Sequence, residues 1–169
     1  RPALCAEALR LARILAHRMP VPPVLGLVAL MELQASRAAA RVDAQGAPIL
    51  LDQQNRARWD WLQIERGQQA LARAVSAGGG DDPYVLQARI AFCHASARRA
   101  EDTDWARIAA LYAQLLQVMP SPVVALNRVV AVSRSEGAFA AWALLQPLLD
   151  EPRLQGYAPL MVVRGELLQ

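Results

Sequence analysis

The chain predicts an all-α fold of stacked antiparallel helical hairpins, on three observations. Hydrophobic residues make up 54% of the 169 residues and aromatics only 5%, so the apolar content is mostly Ala, Leu and Val, which suits closely packed helices better than a sheet. Apolar residues recur at intervals of three and four, the period of a helix face. Pro, Gly, Asp-Pro and Ser-Pro breaks cut that pattern into pieces of ordinary helix length, about eight in all.

The first helix is expected over residues 2–18, with Pro2 at its start and Leu4, Ala8, Leu11, Ile14 and Leu15 as its apolar stripe. Met19-Pro20-Val21-Pro22-Pro23 ends it. A second helix over 22–40 carries Val24, Leu27, Val28, Met31 and Ala35 and is apolar nearly all round in its first half, so it should be the most buried element. Gly26 inside it costs about 1 kcal/mol relative to Ala, which points to a close helix contact. Residues 41–51 form a non-helical insert, with Asp43-Ala44-Gln45-Gly46 as a turn. Asp52 is expected to cap a long helix to residue 77, buried along Trp61, Ile64, Leu71 and Val75. Gly78-Gly79-Gly80 then reads as a flexible loop, because neither the Lys-Ser/Thr nor the preceding strand of a phosphate cradle is present.

Asp82-Pro83 combines a capping side chain with a first-turn proline and opens a helix over 83–97. Its neighbour runs over 104–118 behind the acidic Glu101-Asp102 turn, which favours a helix N-terminus. Ser121-Pro122 opens the next, through 135, and Gly137 stops it. Residues 138–149 follow, with Pro147 expected to end or kink the helix. A last helix is expected from Pro152 to Gln169. Trp105, Ile108, Ala109 and Tyr112 fall at the W-x2-L-G-x2-Y spacing of tetratricopeptide hairpins. The expected architecture is therefore a tetratricopeptide-like right-handed array forming one domain over 1–169. Arrays of this kind present surfaces to partners.

Composition narrows the function classes. All 18 basic residues are arginine, and the net charge of +3 is spread thinly along the chain. A basic stripe interleaved with stacking aromatics is not visible, so direct nucleic-acid contact is not expected. No run of about 18 uncharged apolar residues occurs, so a membrane span is not expected either. Cys5 and Cys93 read as small buried hydrophobes in a reducing compartment, and a soluble, cytoplasmic protein is the expectation. The chain starts without Met, inside a helical pattern, and reads as an excerpt of a longer polypeptide.

Candidate chemistry is sparse. Cys93 and His94 are adjacent, and neighbours on a helix diverge by about 100°, which disfavours a nucleophile pair. Cys5, His17, Cys93 and His94 lack zinc spacing. No catalytic residue, metal or cofactor is therefore expected, and the chain does not read as an enzyme. Two clusters remain. Gln87, Ile90 and His94 share a helix face and, with Asp104, Asn127 and Arg128, form either an internal packing network or a polar groove for a ligand or a partner. Arg56, Arg58, Trp59, Asp60 and Trp61 form either an aromatic packing cluster with surface charges or a partner-binding surface.

Four segments together resemble the tetratricopeptide-like C-terminal extension carried by one group of extracytoplasmic-function (ECF) RNA polymerase sigma factors. They are Leu4-Cys5-Ala6-Glu7-Ala8 with Leu25-Gly26-Leu27; Leu50-Leu51-Asp52-Gln53-Gln54-Asn55-Arg56 with Arg58-Trp59-Asp60; Pro83-Tyr84 with Leu86-Gln87-Ala88, Ile90-Ala91 and His94-Ala95; and Thr103-Asp104-Trp105 with Ile108, Leu111-Tyr112 and Pro120 through Arg128. The resemblance implies a regulatory, protein-interaction domain of a bacterial transcription initiation factor. Its promoter-reading and polymerase-binding domains would lie upstream. Its partners would be its own sigma domains, core RNA polymerase or a signalling protein, with promoter DNA reached only through the upstream domains. The alternatives are a helical-repeat adaptor and a small-molecule-sensing module, both unrelated to transcription.

Overall fold

A computed structural model describes residues 2–168, which fold into α-helices joined by short 3-10 turns, with no β-strand among them. The eight helices are α1 (Pro2–Arg18), α2 (Pro22–Ala35), α3 (Trp61–Ser76), α4 (Pro83–Ser96), α5 (Trp105–Val118), α6 (Pro122–Glu136), α7 (Ala138–Leu149) and α8 (Ala158–Leu167). Two compact units result, the first ending at Thr103 and the second beginning at Asp104. No helix of the described residues is long and apolar enough to cross a membrane.

In the first unit α2 is the hub, packed against α1, α3 and α4. Leu25, Val28, Ala29 and Leu33 are buried there together with Ile64, Leu71 and Ala74 of α3 and Val85, Ala88, Ala91 and Ala95 of α4. Gly26 makes the contact with α4 possible. A Cβ there would stand 2.7 Å from Val85 Cγ2 and 2.8 Å from the Val85 backbone nitrogen, closer than packed carbon atoms approach. Gly67 allows the α2/α3 contact in the same way, since its Cβ would meet Leu33 Cγ at 2.8 Å.

Local chemistry sets the helix starts. Asp82 accepts from the backbone N–H groups of Tyr84 and Val85, and Asp104 accepts from that of Arg107, so both satisfy otherwise unpaired first-turn donors. Gly137, at φ +91°, separates α6 from α7. The expected turn at 43–46 also forms, with Asp43 Oδ1 accepting from the backbone of Gln45 and Ala47 and Val42 bridging Pro48.

Several boundaries and faces differ from the sequence expectation. Asp52 caps no long helix: Leu51–Gln53 and Arg56–Arg58 are separate 3-10 turns, and α3 begins only at Trp61 behind the capping side chain of Asp60. Asn55 is the reason, because its side chain accepts from the Ala57 N–H and holds the chain in a turn. α2 stops at Ala35, where the Ser36 hydroxyl donates to the Leu33 carbonyl, and a 3-10 turn at Ala38–Ala40 follows. The expected helix from Pro152 is a 3-10 turn, Pro152–Leu154, and Gly156 at φ +73° separates it from α8. Trp61 and Val75 are exposed, and Gly67, Ala70 and Ala74 take their place on the buried face of α3. Gly79 is buried, and a Cβ on it would overlap Pro22, so this glycine run is a packed connection. Cys93 is buried as expected, whereas Cys5 is exposed.

The second unit is a chain of neighbouring contacts, α5 on α6, α6 on α7 and α7 on α8. A three-residue connection makes α5 and α6 an antiparallel hairpin. Ile108, Ala109, Leu111 and Leu115 are buried on α5, and Val124, Leu126, Val129 and Val132 on α6. Trp105 and Tyr112 are half-buried, with the Arg134 guanidinium 6.0 Å above the Trp105 ring. Pro147 sits inside α7, which ends two residues later at Leu149.

Candidate functional site

The first unit carries a charged cleft. Its floor is α2, with Leu25, Val28 and Glu32; one wall is Arg13, Ala16 and His17 of α1, and the other is Arg66, Gln69, Ala70 and Arg73 of α3. The space measures about 470 Å³, within the range of small-ligand sites. Glu32 is only 2% exposed although it carries a carboxylate. Both Nε and Nη2 of Arg13 donate to it, at 2.6 and 2.8 Å, a bidentate geometry that gives the buried charge its partner. The carboxylate in turn raises the Arg13 pKa and fixes its guanidinium. Arg66, Gln69 and Arg73 follow at i, i+3 and i+7, so they share one helix face. Among the described residues no carboxylate pairs with Arg66 or Arg73.

The segment from Gln54 to Asp60 is a structural knot. Arg56 is buried, and its Nη1 donates to the carbonyls of His94 and Ala97 at 2.7 and 2.6 Å. It thereby closes the C-terminus of α4, where unsatisfied carbonyls favour a cation. Its guanidinium also lies 4.5 Å from the centroid of the buried Trp59 ring, with Arg37 on the same ring at 5.9 Å. Of the five residues considered as a partner surface, Arg56 and Trp59 are thus inside the fold, and Asp60 caps α3. Arg58 and Trp61 are exposed, and Arg98 stands 5.8 Å from the Trp61 ring.

The polar stripe divides between the units. Gln87 and His94 lie two turns apart on α4, and Asp104, Asn127 and Arg128 belong to the second unit. Gln87 donates to the Pro83 carbonyl of its own helix, Asp104 caps α5, Asn127 is exposed and Arg128 is half-buried. Burial, with Arg37 and Arg56 adding positive charge, pushes the His94 pKa down to about 4, so the imidazole is neutral at pH 7. Among the described residues no three His, Cys, Asp or Glu side chains assemble as metal ligands.

A further surface stands out on α1. Leu4, Leu11, Ile14 and Leu15, the stripe expected to be its buried face, are 62, 52, 47 and 44% exposed. Leu9 and Ala16 on the opposite side make the contact with the core, helped by Ala12. The helix is apolar on both sides, and its bulkier side faces outward. Met19 and Val21 extend the exposed stripe beyond the helix end.

The cleft is not legible in the order of residues along the chain. One signal was available, a lone carboxylate in the apolar run of α2, because buried carboxylates require partners. Its partner, Arg13, lies 19 residues away, too far for spacing to reveal.

Residues 1–75 match the model of a protein family of unknown function, DUF6596. That stretch contains every residue of the charged cleft and the outward stripe of α1. An uncharacterized protein of Rhizobium meliloti (strain 1021), R00370, is 46% identical over 167 residues, a match covering 98% of this chain and 39% of the relative. The chain thus spans about two fifths of the curated relative it matches. No solved structure matches.

Proposed function

We propose that the chain is a regulatory, protein-interacting module of a bacterial ECF-type RNA polymerase sigma factor, acting in transcription initiation in the cytoplasm. The observation that carries the interaction is the outward apolar stripe Leu4, Leu11, Ile14 and Leu15 on α1. An exposed apolar patch on a helix marks a contact surface, and Leu11, Ile14 and Leu15 at i, i+3 and i+4, with Leu4 two turns before Leu11, suit docking onto another helical domain. The transcription assignment rests on the four segments that resemble the sigma-factor extension. The occupant of the stripe is a sigma domain of the same polypeptide, a reading supported by the relative's length, most of which lies outside the match.

The test removes this module from the full-length protein and measures transcription at its cognate promoter with purified core polymerase. Altered output is the expected result. Unchanged output under every condition sinks the proposal.

A further inference from the structure

We infer that the cleft between α1 and α3 is a binding site for a small organic phosphate, with Arg66 and Arg73 holding the phosphate and the apolar floor holding the organic body. This inference stands apart from the transcription reading. Three guanidinium groups line the cleft and Glu32 is the one carboxylate among the lining residues, with Asp60 acting on Arg13 from outside the lining. The Glu32 carboxylate is already engaged by both donating edges of Arg13, which leaves Arg66 and Arg73 with no acidic partner among the described residues. Exposed arginines are ordinarily scattered over a surface. Here two of them rise from the same wall as Gln69, over Leu25, Val28 and Ala70.

Guanidinium forks suit phosphate oxygens because they donate two parallel hydrogen bonds. Arg66 and Arg73 are separated by about 10 Å along the helix axis, and each side chain is long enough to bend toward a common anion above Gln69. Glu32 directs where that anion sits. It occupies Nε and Nη2 of Arg13, so the arginines that can hold the anion are those on α3, and the anion belongs against that wall. The ligand's remaining atoms then cover Ala16, Leu25 and Val28. A neighbouring hollow of about 430 Å³, lined by Pro20, Leu25, Ala72, Arg73, Ser76 and Ala77, shares Leu25 and Arg73 with the cleft. It gives a longer ligand room to extend toward the end of α3.

The probes are phenyl phosphate and inorganic phosphate, titrated into the full chain by calorimetry. Phenyl phosphate is expected to bind with a dissociation constant of about 1 mM or tighter, and inorganic phosphate about tenfold more weakly. Arg66→Ala and Arg73→Ala should each weaken phenyl phosphate by about tenfold or more, while Arg107→Ala in the second unit should leave it unchanged. Circular dichroism of the variants checks that they fold. In the unmodified protein, the arginine Nε–H resonances of Arg66 and Arg73 should move on titration, a readout that requires no variant. The inference is overturned by any of four results: no phenyl phosphate binding up to about 10 mM, equal affinity for the two probes, unchanged binding in both Arg66→Ala and Arg73→Ala, or resonance shifts confined to other arginines.

Discussion

Arg13 on α1 donates through Nε and Nη2 to both carboxylate oxygens of Glu32 on α2, and the glutamate side chain is buried while that of the arginine is 40% exposed. The pair ties α1 to the hub helix on the side where Leu9 and Ala16 are buried and Ala12 packs on the core. Removing Arg13 leaves a buried charge without its partner. Arg13→Ala should therefore cost about 1–3 kcal/mol, less than a fully buried pair because solvent reaches the guanidinium. The Arg13→Met, Glu32→Leu double variant should recover most of that loss, since it leaves no charge behind. Urea denaturation of the two variants checks this, and a double variant less stable than Arg13→Ala would refute it.

Arg56 is not replaceable by lysine. Its planar group stacks on Trp59 while it donates to the His94 and Ala97 carbonyls, and an ammonium cannot do both in one geometry. Arg56→Lys and Arg56→Ala should both destabilise the first unit, by about 1–2 and 2–4 kcal/mol respectively. Hydrogen exchange at the C-terminal turn of α4 is the sensitive measurement. Protection unchanged in Arg56→Ala would show that the cap contributes nothing.

His94 gives the fold a pH dependence of known sign. Its pKa is about 4 when folded, against an ordinary value of 6.5, so between those values the unfolded chain binds more protons. Stability conferred by the neutral imidazole is full above pH 6.5, declines as the pH falls and is gone below pH 4. The limiting loss is about 3 kcal/mol. Urea midpoints from pH 4.5 to 7 should slope upward in the wild type and flatten in His94→Gln. Equal slopes would exclude His94 as the cause.

Gly26→Ala should be among the most damaging small substitutions. The added Cβ meets the Val85 backbone nitrogen as well as its side chain, and backbone cannot rotate away. Separation of α2 from α4 is expected to cost about 1–3 kcal/mol. The thermal midpoint should fall by several degrees for each kilocalorie lost. An unchanged midpoint would mean that the helices do not approach this closely.

The parts legible in the sequence are those whose cause lies within a few residues. Asp82, Asp104 and Gly137 announce helix boundaries because their partners are the next turns of the same chain. α1 shows where that logic fails. Its two sides are both apolar, and spacing at three and four picks out Leu4, Ala8, Leu11, Ile14 and Leu15, while the core accepts the smaller side with Leu9, Ala12 and Ala16. The same limit hid the cleft. Arg13, Glu32 and Arg66 come from three helices and meet only through the packing of α1 and α3 on α2. Arg56 reads as a surface charge in the sequence because its acceptors are 38 and 41 residues ahead.

The outward side of α1 gives the most direct test of the regulatory role. Leu11→Ser with Ile14→Ser, placed in the full-length protein, removes apolar side chains that the first unit leaves 52 and 47% exposed. Promoter-specific transcription with core polymerase should change by about tenfold, the effect of losing one to two kilocalories of interdomain contact, while the urea midpoint of the module stays the same. Transcription indistinguishable from wild type, with the module still folded, would contradict the account.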